Sequence, residues 1–147
     1  MIEGVQIREL RKVDFDHVVR VLDRWWGGPS GQRAEPFWFY EFGRDALVAE
    51  FNAEVVGFLM GFVREDLGYI HLVGIDPEWR RRGVGQALYQ RFIQRCRERG
   101  VSRIKAIAAV GNDSSIAFHK ALGFECREDA DYAGPGRGRL VFDRTLP

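Results

Sequence analysis

The sequence predicts a mixed α/β (α+β) fold, a sheet with helices covering it. Three observations carry that reading. Apolar residues alternate at period two in some segments and recur at i+4 in others, the strands and helices so marked are interleaved along the chain, and 147 residues (16.9 kDa) supply about one domain's worth of core. At 46% hydrophobic, 13% aromatic and 29% charged residues, the composition excludes wholesale disorder. No internal repeat appears, and the loop-like stretches at Gly27 to Arg33 and Asp129 to Arg139 are too short to be linkers, so residues 1–147 read as a single domain.

Val5 and Ile7 alternate with polar residues as a first strand. Asp14 offers an N-cap to a helix whose apolar face carries Val18, Val21, Leu22 and Trp25, and Gly27-Gly28-Pro29 stops it. A second short helix begins near Pro36. Ala46 to Phe51 and Val55 to Val63 form a hairpin through Asn52-Ala53-Glu54, and the second run is apolar at nearly every position, as in a strand buried on both faces. Tyr69 to Ile75 is again β. Gly74 within it marks a bulge or the close approach of another backbone, and a bulge there would splay two strands apart. A long helix from Gly83 to Arg99 places Val84, Leu88, Phe92 and Cys96 at i+4 steps and ends at Gly100 as a C-cap. A strand (Ile104 to Val110), a helix (about Ser114 to Leu122) and β segments around Phe124 and Leu140 to Phe142 complete the order.

A net charge of +1 gives no global field to hold a polyanion or an anionic membrane, so any phosphate chemistry needs a local site. Lys12, Lys105 and Lys120 are the only lysines among 22 basic residues; the Arg excess suits forked binding of phosphate and carboxylate, and also fits a genome-wide codon bias. Cys96 and Cys126 form no C-x-x-C, so neither a disulfide framework nor a cysteine-based metal site is expected, and a reducing cytoplasm fits. The longest apolar run, Val55 to Val63, is about half of a membrane span, and the N-terminal residues lack a signal-peptide pattern. Neither a membrane nor a nucleic acid is expected as partner, since Arg80 to Arg82 run straight into glycines without interleaved aromatics beyond Trp79.

The most informative segment is Val73-Gly74-Ile75-Asp76-Pro77-Glu78-Trp79-Arg80-Arg81-Arg82-Gly83-Val84-Gly85: strand, turn, basic Gly-rich loop, helix start. Unbonded amides and the dipole at a helix N-terminus favour an anion, and glycines let it approach the backbone. A solvated Arg run before an ordinary capping glycine is the alternative. No Lys-Ser or Lys-Thr follows the glycines, and the last position of a G-x-G-x-x-G reading is Leu88, so triphosphate and nicotinamide loops lose support.

About thirty residues on lies Asn112-Asp113-Ser114-Ser115-Ile116-Ala117-Phe118-His119-Lys120-Ala121-Leu122-Gly123-Phe124. With Arg80-Arg81-Arg82-Gly83-Val84-Gly85, this segment resembles the GNAT superfamily of acetyl-CoA-dependent N-acetyltransferases, whose pyrophosphate loop reads Arg/Gln-x-x-Gly-x-Gly/Ala and whose second cofactor motif reads Asn-x-x-Ala-x-x-Phe-Tyr-x-x-x-Gly-Phe. The resemblance covers nearly the whole chain. It implies a largely antiparallel mixed sheet with a splayed central strand pair and about four helices. It also implies that the amides of Arg81, Arg82, Gly83, Val84, Gly85 and Gln86 hold the pyrophosphate of acetyl-CoA while Val73, Gly74 and Ile75 pair with its pantetheine arm. Asn112, Ser115 and Phe118 would line the same arm, and Arg80, Arg82 or Lys120 would reach the 3′-phosphate.

The implied reaction is direct attack of an acceptor's primary amine on a thioester, with no metal. The Tyr that protonates the leaving thiolate in the family is replaced by His119, either the acid or a structural histidine; in the second case Tyr89, Ser115 or water is the acid to look for. By strict alternation Tyr69, His71, Val73 and Ile75 share one face of their strand. His71, then Tyr69, are the candidate bases, with Glu65 and Asp66 in reserve; a packed strand histidine is the alternative. Cys96, on the buried helix stripe, is a core residue rather than a nucleophile. Trp25-Trp26 and Phe37-Trp38-Phe39-Tyr40 with Phe42 are either an aromatic acceptor wall or a cover for the sheet. A catalytically silent acetyl-CoA-binding module remains the alternative function, and a homodimer is left open.

Overall fold

A computed structural model of the chain describes residues 2–26 and 35–147. The loop expected over 27–33, with its Gly27-Gly28-Pro29 stop, lies outside the described residues. β1 (Gln6–Glu9), β2 (Leu47–Phe51), β3 (Glu54–Arg64), β4 (Leu67–Ile75), β5 (Arg103–Ala108), β6 (Glu125–Asp129) and β7 (Arg139–Thr145) form one sheet in the order β1-β2-β3-β4-β5-β7-β6. Neighbours are antiparallel except β4 and β5, which run parallel. That pair needs a crossover, supplied by α3 (Val84–Glu98). The other helices are α1 (Lys12–Trp26), α2 (Pro36–Phe42) and α4 (Asp113–Ala121).

Alternation divides the core between the two faces of the sheet. Leu47, Leu59, Ile70 and Ile104 pack under Leu88, Phe92 and Cys96 of α3. On the other face Val48, Phe58 and Met60 pack under Phe15, Val18, Leu22 and Trp25 of α1, with Trp38 and Phe39 of α2 beside them. Asp14 is not the cap of α1. The helix starts at Lys12, so Asp14 lies in its first turn, where its carboxylate accepts from the Arg11 amide at 2.8 Å and pairs with Arg8 at 2.7 Å. The turn between β2 and β3 has positive φ at Asn52 and Ala53, the mirror-image geometry that suits a twisted hairpin.

The bulge lies elsewhere than expected. In the β3–β4 ladder Met60 faces Leu72 and Gly61 faces Ile70, so the extra residue is His71. Gly74 stays in regular register opposite Phe58, and its missing Cβ makes room for that ring: a β-carbon there would lie 2.4 Å from Phe58 Cε1. The close approach is thus to a side chain, not a backbone. Because an extra residue breaks the two-residue period, the four residues expected on one face are divided. Val73 and Ile75 join Ile70 on the α3 face, whereas Tyr69 and His71 lie against Phe62 and Trp38 on the α2 face, and Leu72 packs with the α1 core. At the same point the sheet opens: β4 and β5 pair from Leu67 with Arg103 to Ile70 with Ala106, and no further.

Candidate active site

A cleft of about 1020 Å³ occupies the opening between β4 and β5. Its α3 side is lined by Val73 and Ala108 of the two strands, Tyr89 of α3, and Asn112, Ser115 and His119 at the start and body of α4, while Ile107 alternates to the other face. Its α2 side is lined by Trp38, Tyr69 and His71, and by Tyr132, Ala133, Arg137 and Arg139 from the β6–β7 connection. Ile70, Leu72, Ala109, Glu35 and Arg80 complete it.

At one end of this cleft the chain leaves β4 through Asp76, whose Oδ1 accepts from the Glu78 amide at 3.0 Å, and a 3₁₀ turn over Pro77–Trp79. Arg81 and Gly83 then take positive φ values of 60° and 87°. Gly83 has no side chain to cap α3, and the first helical bond runs from the Ala87 amide to the Gly83 carbonyl at 3.0 Å. The amides of Val84, Gly85 and Gln86 are therefore without helical acceptors, an N-terminus suited to an anion. A second hollow of about 360 Å³ beside them is lined by Arg82, Gly83 and Gln86. Arg82 stacks on Trp79, its guanidinium carbon 4.0 Å from the ring centroid, and Arg80 donates to the Trp25 carbonyl. Lys120 is exposed. Phe118 packs over Gly85, 3.5 Å from where a β-carbon would stand. Asn112 uses its side-chain oxygen to cap α4, accepting from the Ser115 amide at 3.1 Å, which leaves its amide donors for other partners.

His119 is buried and its ring lies flat on Phe142, centroids 3.8 Å apart. Its Nδ1 is 2.7 Å from the Ser115 carbonyl oxygen, which can only accept, so the proton sits on Nδ1 and Nε2 accepts from the Tyr89 hydroxyl at 2.7 Å. Burial holds the imidazole pKa below its ordinary value, opposed by the Ser115 bond, and burial raises the Tyr89 phenol. The pair is neutral, and the proton between the rings is on tyrosine oxygen.

Across the bulge, His71 Nδ1 is 2.8 Å from Tyr69 Oη, and its ring stacks on Trp38 at 4.4 Å between centroids. Burial, then the Arg139 guanidinium, lower the His71 pKa, which makes a neutral imidazole the resting form. Tyr69 is pushed up by burial and stays protonated. Asp66 is occupied in the β3–β4 turn, accepting from the Ser102 amide at 2.8 Å, and Glu65 is an exposed turn residue at φ 52°. Cys96 lies in the α3 core with its thiol pushed up to about 11 by burial, as a core cysteine should be. The aromatic segment is divided: Trp25 is core and Trp38 faces the cleft, while Phe37, Tyr40 and Phe42 are exposed.

Sequence reasoning offered Tyr89 as a fallback acid but not as the bonded partner of His119, and missed Trp38 as the partner of His71 and Arg137 and Arg139 altogether. Tyr89 follows Leu88 on the buried stripe and reads as helix body, and the two arginines lie at the end of a Gly-rich loop; neither carries a local signal. Among the described residues no group of three or more His, Cys, Asp and Glu is placed to hold a metal ion, and no helix is long and apolar enough to cross a membrane.

Comparisons with known proteins agree with this architecture. The fold matches Ard1 from Thermoplasma volcanium at 24% identity and TM-score 0.83 over 98% of this chain and 99% of that one. It also matches the ribosomal-protein-S18-alanine N-acetyltransferase from Escherichia coli at 20% identity and TM-score 0.80, over 97% and 94%. A third match, at 19% identity and TM-score 0.76 over 99% and 95%, is yncA, a putative acetyltransferase from Salmonella typhimurium solved with its cofactor acetyl-CoA. All three lie below the identity at which more than fold is shared. The model of the acetyltransferase (GNAT) family spans residues 6–124, which takes in the opened strand pair, the loop before α3 and the whole of α4, and by that match the chain belongs to the GNAT acetyltransferase family.

Proposed function

We propose that the chain is an N-acetyltransferase that moves the acetyl group of acetyl-CoA to a primary amine in a ternary complex. The observation that carries this reading is a cleft through the opened sheet with a free strand edge on its α3 side and a neutral histidine on its α2 side, together with a donor-rich helix start at a second hollow beyond Arg80. The chain fits the co-substrate: the Arg81 to Gln86 loop would hold its pyrophosphate, and Val73 to Ile75, unpaired toward β5, would bond its pantetheine amides as an added strand. Acetyl-CoA supplies a thioester, which needs no covalent enzyme intermediate for transfer to an amine. Cys96 is accordingly left in the core.

The chain's own groups then handle two protons. With Nδ1–H donating to Tyr69 Oη, His71 Nε2 takes the proton from the acceptor's ammonium, and Trp38 beneath the ring favours the imidazolium so formed. The amine nitrogen bonds the acetyl carbon as the carbon–sulfur bond breaks. The thiolate takes its proton from the Tyr89–His119 junction, where the tyrosine hydroxyl holds it, and solvent restores both groups.

The test is release of free thiol from acetyl-CoA against a panel of amines. His71→Ala should lower kcat by about 10²-fold or more with acetyl-CoA affinity little changed, the lower end of general-base contributions. Since neutral His71 is the active form and its pKa is depressed, wild-type rate should keep no limb from this group above about pH 6.5. Full activity in His71→Ala would remove the base from this position.

A further inference from the structure

We propose that Arg137 and Arg139 form a carboxylate-binding subsite in the α2 half of the cleft, so that the acceptor is a small free α-amino acid rather than a peptide N-terminus or a polyamine. This rests on the transferase reading above and names its acceptor class.

The lining is lopsided in charge. Glu35 is the one carboxylate lining the cleft among the described residues, against Arg80, Arg137 and Arg139. Arg80 is committed to the Trp25 carbonyl. Arg139 is half-buried and donates through Nη1 to the Gly138 carbonyl at 2.7 Å, which leaves the other edge of its fork open. Neither Arg137 nor Arg139 has a carboxylate within ion-pair distance among the described residues, although eight other pairs are formed. A half-buried cation without a counter-ion is costly, and an arriving carboxylate removes that cost through a bidentate bond.

The segment that presents these residues is closed on itself. The Ala133 amide donates to the Arg137 carbonyl at 3.0 Å, the Arg137 amide to the Gly134 carbonyl at 2.9 Å, and the Gly136 amide to Asp131 Oδ1 at 2.7 Å. The backbone around Arg137 is thereby preorganised. Position argues against service to the co-substrate's phosphates, because Arg137 and Arg139 line the cleft with Tyr69 and His71, and neither lines the hollow at the loop before α3. The base and the guanidinium line the same half of the cleft, and in an α-amino acid the carboxylate carbon stands two bonds from the amine nitrogen that His71 would take. A peptide N-terminus puts an uncharged amide there, and a polyamine brings a second cation toward the arginines.

The experiment compares free amino acids with their own amides, a short peptide and spermidine as acceptors for acetyl-CoA. At least one amino acid should exceed its amide by roughly tenfold or more in kcat/KM, the worth of a charge-assisted bond. Arg139→Gln should raise KM for that amino acid by a similar factor and leave KM for acetyl-CoA within about twofold. Arg137→Gln, at an exposed loop position, repeats the test without risk to the fold. Equal or better use of the amide, peptide or spermidine, or unchanged amino-acid KM in both variants, overturns the subsite while leaving the transferase standing. If no amine releases thiol, a second readout applies, the melting-temperature shift given by the amino acids with CoA present. A carboxylate-dependent shift lost in Arg139→Gln upholds the subsite and sinks the transferase reading, and no shift sinks both.

Discussion

His119 and Tyr89 show what a single side chain contributes when its environment fixes the proton. Flat on Phe142 and bonded at both nitrogens, the imidazole is held neutral by burial. Its folded pKa is therefore below the unfolded value of about 6.5, so as pH falls past that value the unfolded chain takes up a proton that the folded one refuses. Stability is full above about pH 6.5 and is lost on acidification. His71, depressed in the same direction, adds to the effect. His119→Phe should keep the stack, melt lower at neutral pH because the Tyr89 hydroxyl loses its acceptor at a cost of about 1–3 kcal/mol, and show a flatter fall in Tm between pH 7 and 5. Equal slopes in the two proteins would mean that His119 titrates normally. Its position within the second motif was legible in the sequence. Its role was not, because Tyr89 lies thirty residues away and meets it only through packing of α3 on α4.

At the scale of elements, periodicity sufficed for the hairpin, the long helix with its i+4 stripe and the terminal strand pair, because each is decided by local pattern. The bulge was misplaced because the partner strand decides it. Gly61 on β3 is the residue that pinches: a β-carbon there would lie 2.5 Å from the Tyr69 carbonyl oxygen, beside the point where the register slips. The glycine that signalled the bulge was thus in the facing strand, and Gly74 answered to Phe58 instead. Gly61→Ala should destabilise by roughly 1–3 kcal/mol, as overpacking does, lowering Tm by about 2–4 °C for each kcal/mol. It should also lower kcat, since the same backbone aims His71. An unchanged Tm would show that the β3–β4 ladder yields freely at this point.

Over the whole molecule, the resemblance of two motifs reached the family and the α3 side of the cleft, because that half is built from contiguous stretches of sequence. Of the other half the sequence offered His71, Tyr69 and Trp38 as separate candidates but not their meeting with 132–139, since these segments come together only once the sheet is assembled. If the α3 side takes acetyl-CoA, a hundredfold excess over Kd should stabilise by about 2.7 kcal/mol and raise Tm by roughly 5–10 °C. Gly83→Asn keeps a residue that tolerates the positive φ and should retain most of that shift; Gly83→Asp adds a charge at the same geometry and should abolish it. Equal shifts in the two variants would move the anion site away from this loop. The extra residue at His71 has a consequence for how such a protein changes over time. It places Tyr69 and His71, proposed for the acceptor, and Val73 and Ile75, proposed for the co-substrate, on opposite surfaces of one strand, so substitutions on either surface share few partners and their energies should largely add. Acceptor preference can drift by changes around Trp38 and the β6–β7 connection while the other surface keeps its sequence, a division of labour that one inserted residue is enough to create.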